Sequence, residues 1–253
     1  MAPVITAAVL LRGHDFGDTS RILRFYTRDH GLVSVVGRGV RGRSGKGTTT
    51  LSSFASGELT AYLKAHRDLH TMKDFDCVAL RPGLARDVLR FAGASAAADI
   101  VLAHAEQEPQ PGLYAALEAA LDRLDSVDRA DLPAAVLSGL WTIVEGFGFA
   151  PQIDSCVRCG TTFGADEVGR FDFAAGGVRC SGCAVGAAGP LIGPRARAQL
   201  TALLAGCLPS GLTHARRHLG VVSDFVSYHV VSRPLKSFRF LGGVLPPDAE
   251  VED

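Results

Sequence analysis

Arg21-Ile22-Leu23-Arg24-Phe25-Tyr26-Thr27, a turn at His30-Gly31, then Leu32-Val33-Ser34-Val35-Val36: these lines of sequence decide the fold of the first third of the chain. β-branched, aliphatic and aromatic residues fill both runs, and a glycine-bearing turn separates them, which is the signature of a β-hairpin. Working outward, Val4-Ile5-Thr6-Ala7-Ala8-Val9-Leu10-Leu11 is a further run ended by Gly13, and Gly17-Asp18 supplies the turn into Arg21. Downstream, a loop rich in Gly, Ser and Thr at 39–50 precedes Glu58-Leu59-Thr60-Ala61-Tyr62-Leu63 and Leu69-His70-Thr71-Met72. Five short strands with one long glycine-rich loop predict a small closed or half-closed barrel over residues 1–81. The OB-fold is the commonest nucleic-acid-binding barrel of that size, and an SH3-like barrel fits the same pattern.

From Pro82 the apolar period becomes helical. Leu84, Val88 and Phe91 share one face of a first helix that continues through alanine-rich sequence to the break at Pro109 and Pro111. Leu113, Leu117, Leu121 and Leu124 stripe a second helix with an acidic reverse side. Asp131 with Pro133 opens a third that buries Val136, Leu140, Ile143 and Val144. Further helices are expected around Ala196–Ala205 and, capped by Thr213, through Leu219, Val222, Val226 and Val230 as the last. The fold class is α+β multidomain: an OB-fold β-barrel over 1–81, then an all-α domain over 82–253 interrupted at 150–189.

The interruption carries Cys156-Val157-Arg158-Cys159 and Cys180-Ser181-Gly182-Cys183, a C-x2-C-x20-C-x2-C spacing. Each C-x-x-C aims two thiolates at one point, and the second pair completes a tetrahedron, the arrangement Zn²⁺ takes with four sulfurs. Between the pairs, Gly169-Arg170-Phe171-Asp172-Phe173 and Val178-Arg179 flank Ala174-Ala175-Gly176-Gly177, a hairpin with a Gly-Gly turn. The segment therefore reads as a zinc ribbon holding one structural Zn²⁺ per chain through Cys156, Cys159, Cys180 and Cys183. Metal binding is expected to supply most of its folding free energy. Four thiolates leave no open position for chemistry, and zinc is preferred over a redox dithiol or an iron–sulfur cluster. Cys77 and Cys207 read as small buried apolar residues.

Several catalytic patterns fail. His104-Ala105-Glu106 matches the H-x-E of zinc deaminases, but Ser155 and Arg179, not proline, precede the cysteine pairs. Gly45-Lys46 lacks the glycine five positions earlier (Val40) and the Ser/Thr after the lysine (Gly47) that a phosphate-binding P-loop needs. With no nucleophile–base set either, the chain is not expected to be an enzyme. Formal net charge is zero, but residues 1–81 carry +5, 82–150 carry −6 and 151–253 carry +1. A basic first module and an acidic second one suggest separate partners. In the loop Arg38-Gly39-Val40-Arg41-Gly42-Arg43-Ser44-Gly45-Lys46, glycines free the backbone to follow a phosphate chain while guanidiniums fork onto oxygens or stack on bases. The bland reading is a solvated loop. On a basic barrel, with Arg12, Arg21, Arg24 and Arg28 on the preceding strands, nucleic-acid binding is the better one, and Arg12, Arg21, Arg24, Arg38, Arg41, Arg43 and Lys46 are the candidates. No apolar run approaches the about 20 residues of a membrane span, and the N-terminus has no signal-peptide pattern, so a cytoplasmic location and no membrane partner are expected.

Gly17-Asp18-Thr19-Ser20-Arg21-Ile22-Leu23-Arg24-Phe25-Tyr26-Thr27-Arg28-Asp29-His30-Gly31 is similar to the N-terminal signature of the RecO recombination mediators. Gly37-Arg38-Gly39-Val40-Arg41 resembles their small-Lys-Gly-x-Arg segment, with Arg38 in place of lysine. Tyr228-His229 and Lys236-Ser237-Phe238-Arg239-Phe240-Leu241 resemble their C-terminal end, and the order of parts corresponds over nearly the whole chain. The resemblance implies an OB-fold that binds single- and double-stranded DNA at the nucleoid and anneals complementary strands. It implies two protein partners, RecR and the acidic C-terminal tail of single-stranded DNA-binding protein, with which the recombinase RecA is loaded. Because residues 82–150 are acidic, the tail site is expected on the final helices with Arg216, Arg217 or Arg233. The cysteine quartet belongs to only part of that family. The rival expectation from the residues is an RNA-binding factor of transcription or translation, built from an OB-like barrel and a zinc ribbon.

Overall fold

The computed structural model describes residues 2–40, 51–231 and 233–248. Five strands come first: β1 (Val4–Phe16), β2 (Ser20–Thr27), β3 (Gly31–Gly37), β4 (Ser56–Tyr62) and β5 (Leu69–Ala79). β1 pairs antiparallel with β2 and β4, β2 with β3, and β4 with β5, while β3 runs parallel to β5. The barrel closes in the order β1-β2-β3-β5-β4, a Greek-key arrangement that makes it OB-like. Side chains alternate along each strand. Ala8, Leu10, Leu23, Phe25, Val33, Val35 and Leu59 fill the barrel, whereas Val9, Leu11 and Tyr26 point outward into the core of the helical domain. β1 is thus buried on both faces, which is why its sequence is continuously apolar rather than alternating.

Two strands run further than expected. β1 passes through Gly13 to Phe16 after a bulge between Leu10 and Arg12. Gly13 pairs with Leu23, and a Cβ there would come within 2.8 Å of the Arg21 Nη2 atom, so this glycine permits close packing and does not end the strand. β5 continues to Ala79 through Lys73-Asp74-Phe75-Asp76, where only Phe75 is buried and no apolar run marks the strand.

After a 3-10 turn at Pro82–Ala85 come α1 (Val88–His104), α2 (Pro111–Ser126) and α3 (Leu132–Gly146), later α4 (Pro194–Leu204), α5 (Ala215–His229) and α6 (Lys236–Val244). The Asp87 carboxylate caps α1 by accepting from the Leu89 and Arg90 amides. The buried stripes expected for α2, α3 and α5 are present. That of α1 is not: Leu84 is buried, but Val88 and Phe91 are 56% and 45% exposed. α1 packs instead through Gly93 and its alanines, and a Cβ on Gly93 would lie 2.6 Å from Val136 of α3, so close helix contact selects small residues there. α3 is the central helix, buried on most sides around Trp141. Asp131 holds the N-cap position of α3 without a side-chain bond. Thr213 does not cap α5; His214, in left-handed conformation (φ 53°), holds that place, and Thr213 bonds to Gln199. Nor is α5 the last helix. α6, with only Phe238 and Leu241 buried, has too thin a stripe to read as a helix.

The cysteine segment lies between α3 and α4 and forms the expected hairpin, β6 (Gly169–Asp172) and β7 (Gly177–Arg179), joined by β8 (Leu191–Ile192) on the other side of β6. It does not rely on metal for a core throughout. Phe171, Val178, Ile153 and Ile192 are buried in the helical domain's own core, with Phe171 edge-on to Phe225 of α5. The two solitary cysteines depart from expectation, since Cys207 is exposed and Cys77 only half-buried.

Two contacts lock the barrel to the helices. Gly31 (φ 59°) lies against the chain after α1, where a Cβ would meet the Glu106 carbonyl at 2.4 Å, and the Leu32 amide donates to that carbonyl. Arg81, with a side chain only 3% exposed, donates to the Phe54 carbonyl and Ser56 hydroxyl of the barrel and to Asp122 of α2 at 2.7 Å, with Glu118 at 3.5 Å. Arg81→Met should therefore destabilise the protein by about 2–4 kcal/mol, because it orphans the Phe54 and Ser56 oxygens. Arg81→Lys should not restore it, since one ammonium cannot span both domains. Urea unfolding followed by the single tryptophan, Trp141, measures this, and full stability in the lysine variant would overturn it.

On α5, His218 is buried against Gln199, and burial lowers its pKa from the usual 6.5. The unfolded chain then binds the proton more readily. Stability should fall as pH drops below 6.5, by up to about 1.4 kcal/mol per pH unit, and His218→Gln should remove that part of the slope. Equal acid sensitivity in both proteins would contradict the assignment.

Candidate nucleic-acid interface and metal centre

Register builds the cationic face of the barrel. Arg12 stands opposite Arg24 across the β1–β2 pair, so both side chains leave the same face of the ribbon. They line a cleft of about 690 Å³ between the barrel and the helical domain, whose far wall is Arg233, Pro234, Leu235 and Lys236 at the start of α6. Asp99, Leu102 and Ala103 of α1 also line it, and Asp99 is ion-paired to Arg12. Burial, and then the neighbouring Arg12 guanidinium, lower the pKa of Arg24. Two like charges held together at the cost of partial desolvation describe a site suited to an anion.

The other candidates sit elsewhere. Arg21 is held by Asp15 at 3.7 Å and by the Leu51 carbonyl at 3.4 Å. Arg38 is exposed in the turn that follows β3. Arg41, Arg43 and Lys46 lie outside the described residues. The three arginines expected to serve a partner tail separate as well. Arg216 holds the Leu245 carbonyl through Nε and Nη2. Arg217, 78% exposed and 3.9 Å from Asp248, borders a groove of about 590 Å³ formed by Pro190, Leu191, Ile192, Val221 and neighbours. Arg233 joins the barrel arginines in the cleft.

Lys236 and Asp99 were not among the sequence candidates. Lys236 begins a helix whose apolar stripe is too thin to recognise, so nothing in the sequence marks it as part of a site. Asp99 had one available signal: it is the only carboxylate in the alanine-rich α1.

The four cysteine sulfurs of the hairpin segment converge. Their Sγ atoms all lie within 4.8 Å of one another, with Cys159 and Cys180 3.8 Å apart. The Cys156 amide donates to the Thr161 carbonyl and the Cys183 amide to that of Cys180, which fixes the two knuckles. Burial opposes ionisation of Cys156, but hydrogen bonds from backbone at Cys180, Cys159 and Arg158 outweigh it and bring its pKa down to about 6. Cys183, bonded to Cys180 and desolvated, is pushed up to about 12. Four sulfurs so close cannot all be charged without a cation between them, and the cluster can hold a metal ion. Among the described residues no other group of His, Cys, Asp and Glu has such geometry. No helix among them is long and apolar enough to cross a membrane.

Comparison with known proteins covers the whole of this architecture. The family model described as recombination protein O N terminal matches residues 1–81, the barrel, and that described as recombination protein O C terminal matches 85–239. A DNA repair protein RecO of Anaeromyxobacter sp. (strain K) is 30% identical over 97% of this chain and 98% of its own. The DNA repair protein RecO of Myxococcus xanthus (strain DK1622) is 31% identical over 94% and 96%, and that of Cutibacterium acnes 31% over 92% and 96%. With both halves matched in order and the barrel, helices and cysteine cluster in place, the chain belongs to the RecO family of DNA repair proteins.

Proposed function

We propose that this protein is a non-enzymatic DNA-binding and strand-annealing mediator of homologous recombination, which helps to load recombinase onto single-stranded DNA together with RecR. The observation that carries the reading is the convergence of Arg12 and Arg24 on one face of an OB-like barrel, beside Arg233 and Lys236, in a chain matched end to end by RecO proteins. The mechanism is electrostatic. Guanidiniums neutralise the phosphates of two strands, lower their mutual repulsion and release counterions, while base pairing supplies the sequence selectivity. Arg38, in the turn after β3, adds to this charge, Arg41, Arg43 and Lys46 follow it in the sequence as further phosphate contacts, and Arg21 contributes from the β1–β2 hairpin. No step needs a nucleotide or a nucleophile.

The partners follow the same reading. The acidic tail of single-stranded DNA-binding protein docks on the last helices, with exposed Arg217 at the edge of the apolar groove the strongest of the three arginines. Arg216 is already occupied by the Leu245 carbonyl. The cytoplasm, at the nucleoid, is the compartment in which such a protein works.

Charge reversal of Arg38, Arg41 and Arg43 together should weaken single-stranded DNA binding about equally for all sequences. It should also flatten the salt dependence, by about 0.7 in slope for each phosphate no longer neutralised. Annealing of complementary oligonucleotides coated with single-stranded DNA-binding protein, at wild-type rate in this variant, would remove the loop from the mechanism. Equal affinity for RNA of the same sequence would favour a factor of transcription or translation instead.

Zinc is proposed as the metal. Zn–S bonds of about 2.3 Å place tetrahedral sulfurs about 3.8 Å apart, the Cys159–Cys180 separation. Its role is structural, since all four positions are taken by thiolates. The purified protein should contain one zinc per chain by elemental analysis. Cys156→Ser with Cys180→Ser should lose it and lower the melting temperature, yet bind single-stranded DNA as before. Loss of DNA binding with the barrel still folded would make the metal part of the interface.

A further inference from the structure

Resting on the DNA-binding reading and going beyond it, we propose that Asp99 is a built-in competitor of the DNA phosphate: its carboxylate holds Arg12 in the cleft between barrel and α6 and yields that arginine to a phosphate when a strand binds.

The cleft gathers Arg12, Arg24, Arg233 and Lys236 around one carboxylate. Among the described residues Arg24, Arg233 and Lys236 have no ion-pair partner, so positive charge is in excess there and Asp99 answers part of it. The two members of the pair are unequally free. Asp99 is carried on a helix packed against the core, and its side chain is 17% exposed; Arg12 leaves a strand beside a bulge and is 54% exposed. The mobile partner is the cation. Arg12 can rotate from the carboxylate to a phosphate oxygen without disturbing the backbone, whereas Asp99 stays where α1 holds it.

A pre-neutralised arginine changes how binding responds to salt. A free guanidinium that meets a phosphate releases about one condensed counterion from the nucleic acid and gains its full attraction. Arg12 exchanges one anion for another, so its contact adds little net affinity. A strand is then held firmly by the unpaired cations and only loosely at Arg12. That suits a protein that must surrender DNA to another strand or to recombinase, because the fixed carboxylate draws Arg12 back and so helps to release the phosphate.

The test is fluorescence anisotropy of the full-length protein with labelled oligo(dT) across a series of KCl concentrations. Asp99→Asn removes the charge but keeps the shape. It should bind roughly two- to fivefold more tightly, the range expected when an exposed ion pair no longer competes, and the slope of log affinity against log salt should steepen by about 0.7. In an Arg12→Gln background most of that gain should vanish, because Asp99 acts through Arg12. Unchanged or weaker binding by a folded Asp99→Asn protein, with an unchanged slope, overturns the proposal. Should Asp99→Asn not fold, Asp99→Ser is read in the same way. Loss of the fold in both makes the pair a staple between domains and overturns it as well. A wild-type protein that does not bind oligo(dT) at all removes the DNA reading itself; binding that ignores Asp99 removes only this inference.

Discussion

One guanidinium stands between the two halves of the molecule. Arg81 ends the barrel's last connection, and its fork reaches the Phe54 carbonyl and Ser56 hydroxyl on one side and the Glu118 and Asp122 carboxylates on the other. A charge this buried is tolerable only when its donors are satisfied, so the angle at which α2 meets β4 is fixed by hydrogen-bond geometry. The cleft depends on that angle. Arg12 and Arg24 belong to the barrel, Arg233 and Lys236 to the far end of the helical domain, and Asp99 to α1. They form one site because the contacts of Arg81 join the barrel to α2. Gly31 and the Leu32–Glu106 hydrogen bond reinforce the same junction from the other end of α1.

The barrel was legible because strand sequence reports its surroundings directly. The hairpin β2–β3, the closing strands and the glycine turns follow from period and composition. Gly13 misled because a glycine chosen for close approach looks the same in sequence as one chosen to end a strand. The helical stripes read correctly wherever the buried face is made of leucine and valine, as in α2, α3 and α5. They failed in α1, where burial is achieved by alanines and Gly93 and the largest apolar side chains, Val88 and Phe91, face outward. Hydrophobic size is a poor guide when helices approach closely.

The cysteine quartet shows the same division. Its spacing specifies a tetrahedral cluster without any knowledge of the fold, since each knuckle is local. That the hairpin between them shares Phe171 with the core around Phe225 could not be read, because such a contact joins elements more than fifty residues apart. The segment thus brings four sulfurs together at one end and packs by ordinary apolar contact at the other. Arg41, Arg43 and Lys46 belong to the local kind of signal, whereas the union of Arg12 and Arg24 with Arg233 and Lys236 is wholly a product of tertiary structure.

Net charge by segment describes a surface only once the pairing of its charges is known, and the reason is physical. Residues 82–150 carry a formal charge of −6, which suggests a partner other than that of the basic barrel and a poor host for an acidic tail. In the fold, many of those carboxylates are turned to internal use. Glu118 and Asp122 neutralise Arg81, Asp87 caps α1 and pairs with Arg129, Asp125 accepts from the Leu84 amide, and Asp99 meets Arg12. A paired carboxylate projects little field beyond a Debye length of about 8 Å at physiological salt, whereas unpaired cations gathered in a cleft with low-dielectric walls reinforce one another. A chain of zero net charge can thus present a phosphate-binding site, because attraction is decided by which charges are left without partners and not by their sum. Asp99 is the exception that tunes it. It is the one carboxylate of α1, it lines the cationic cleft, and its ion pair with Arg12 offsets part of the cleft's charge.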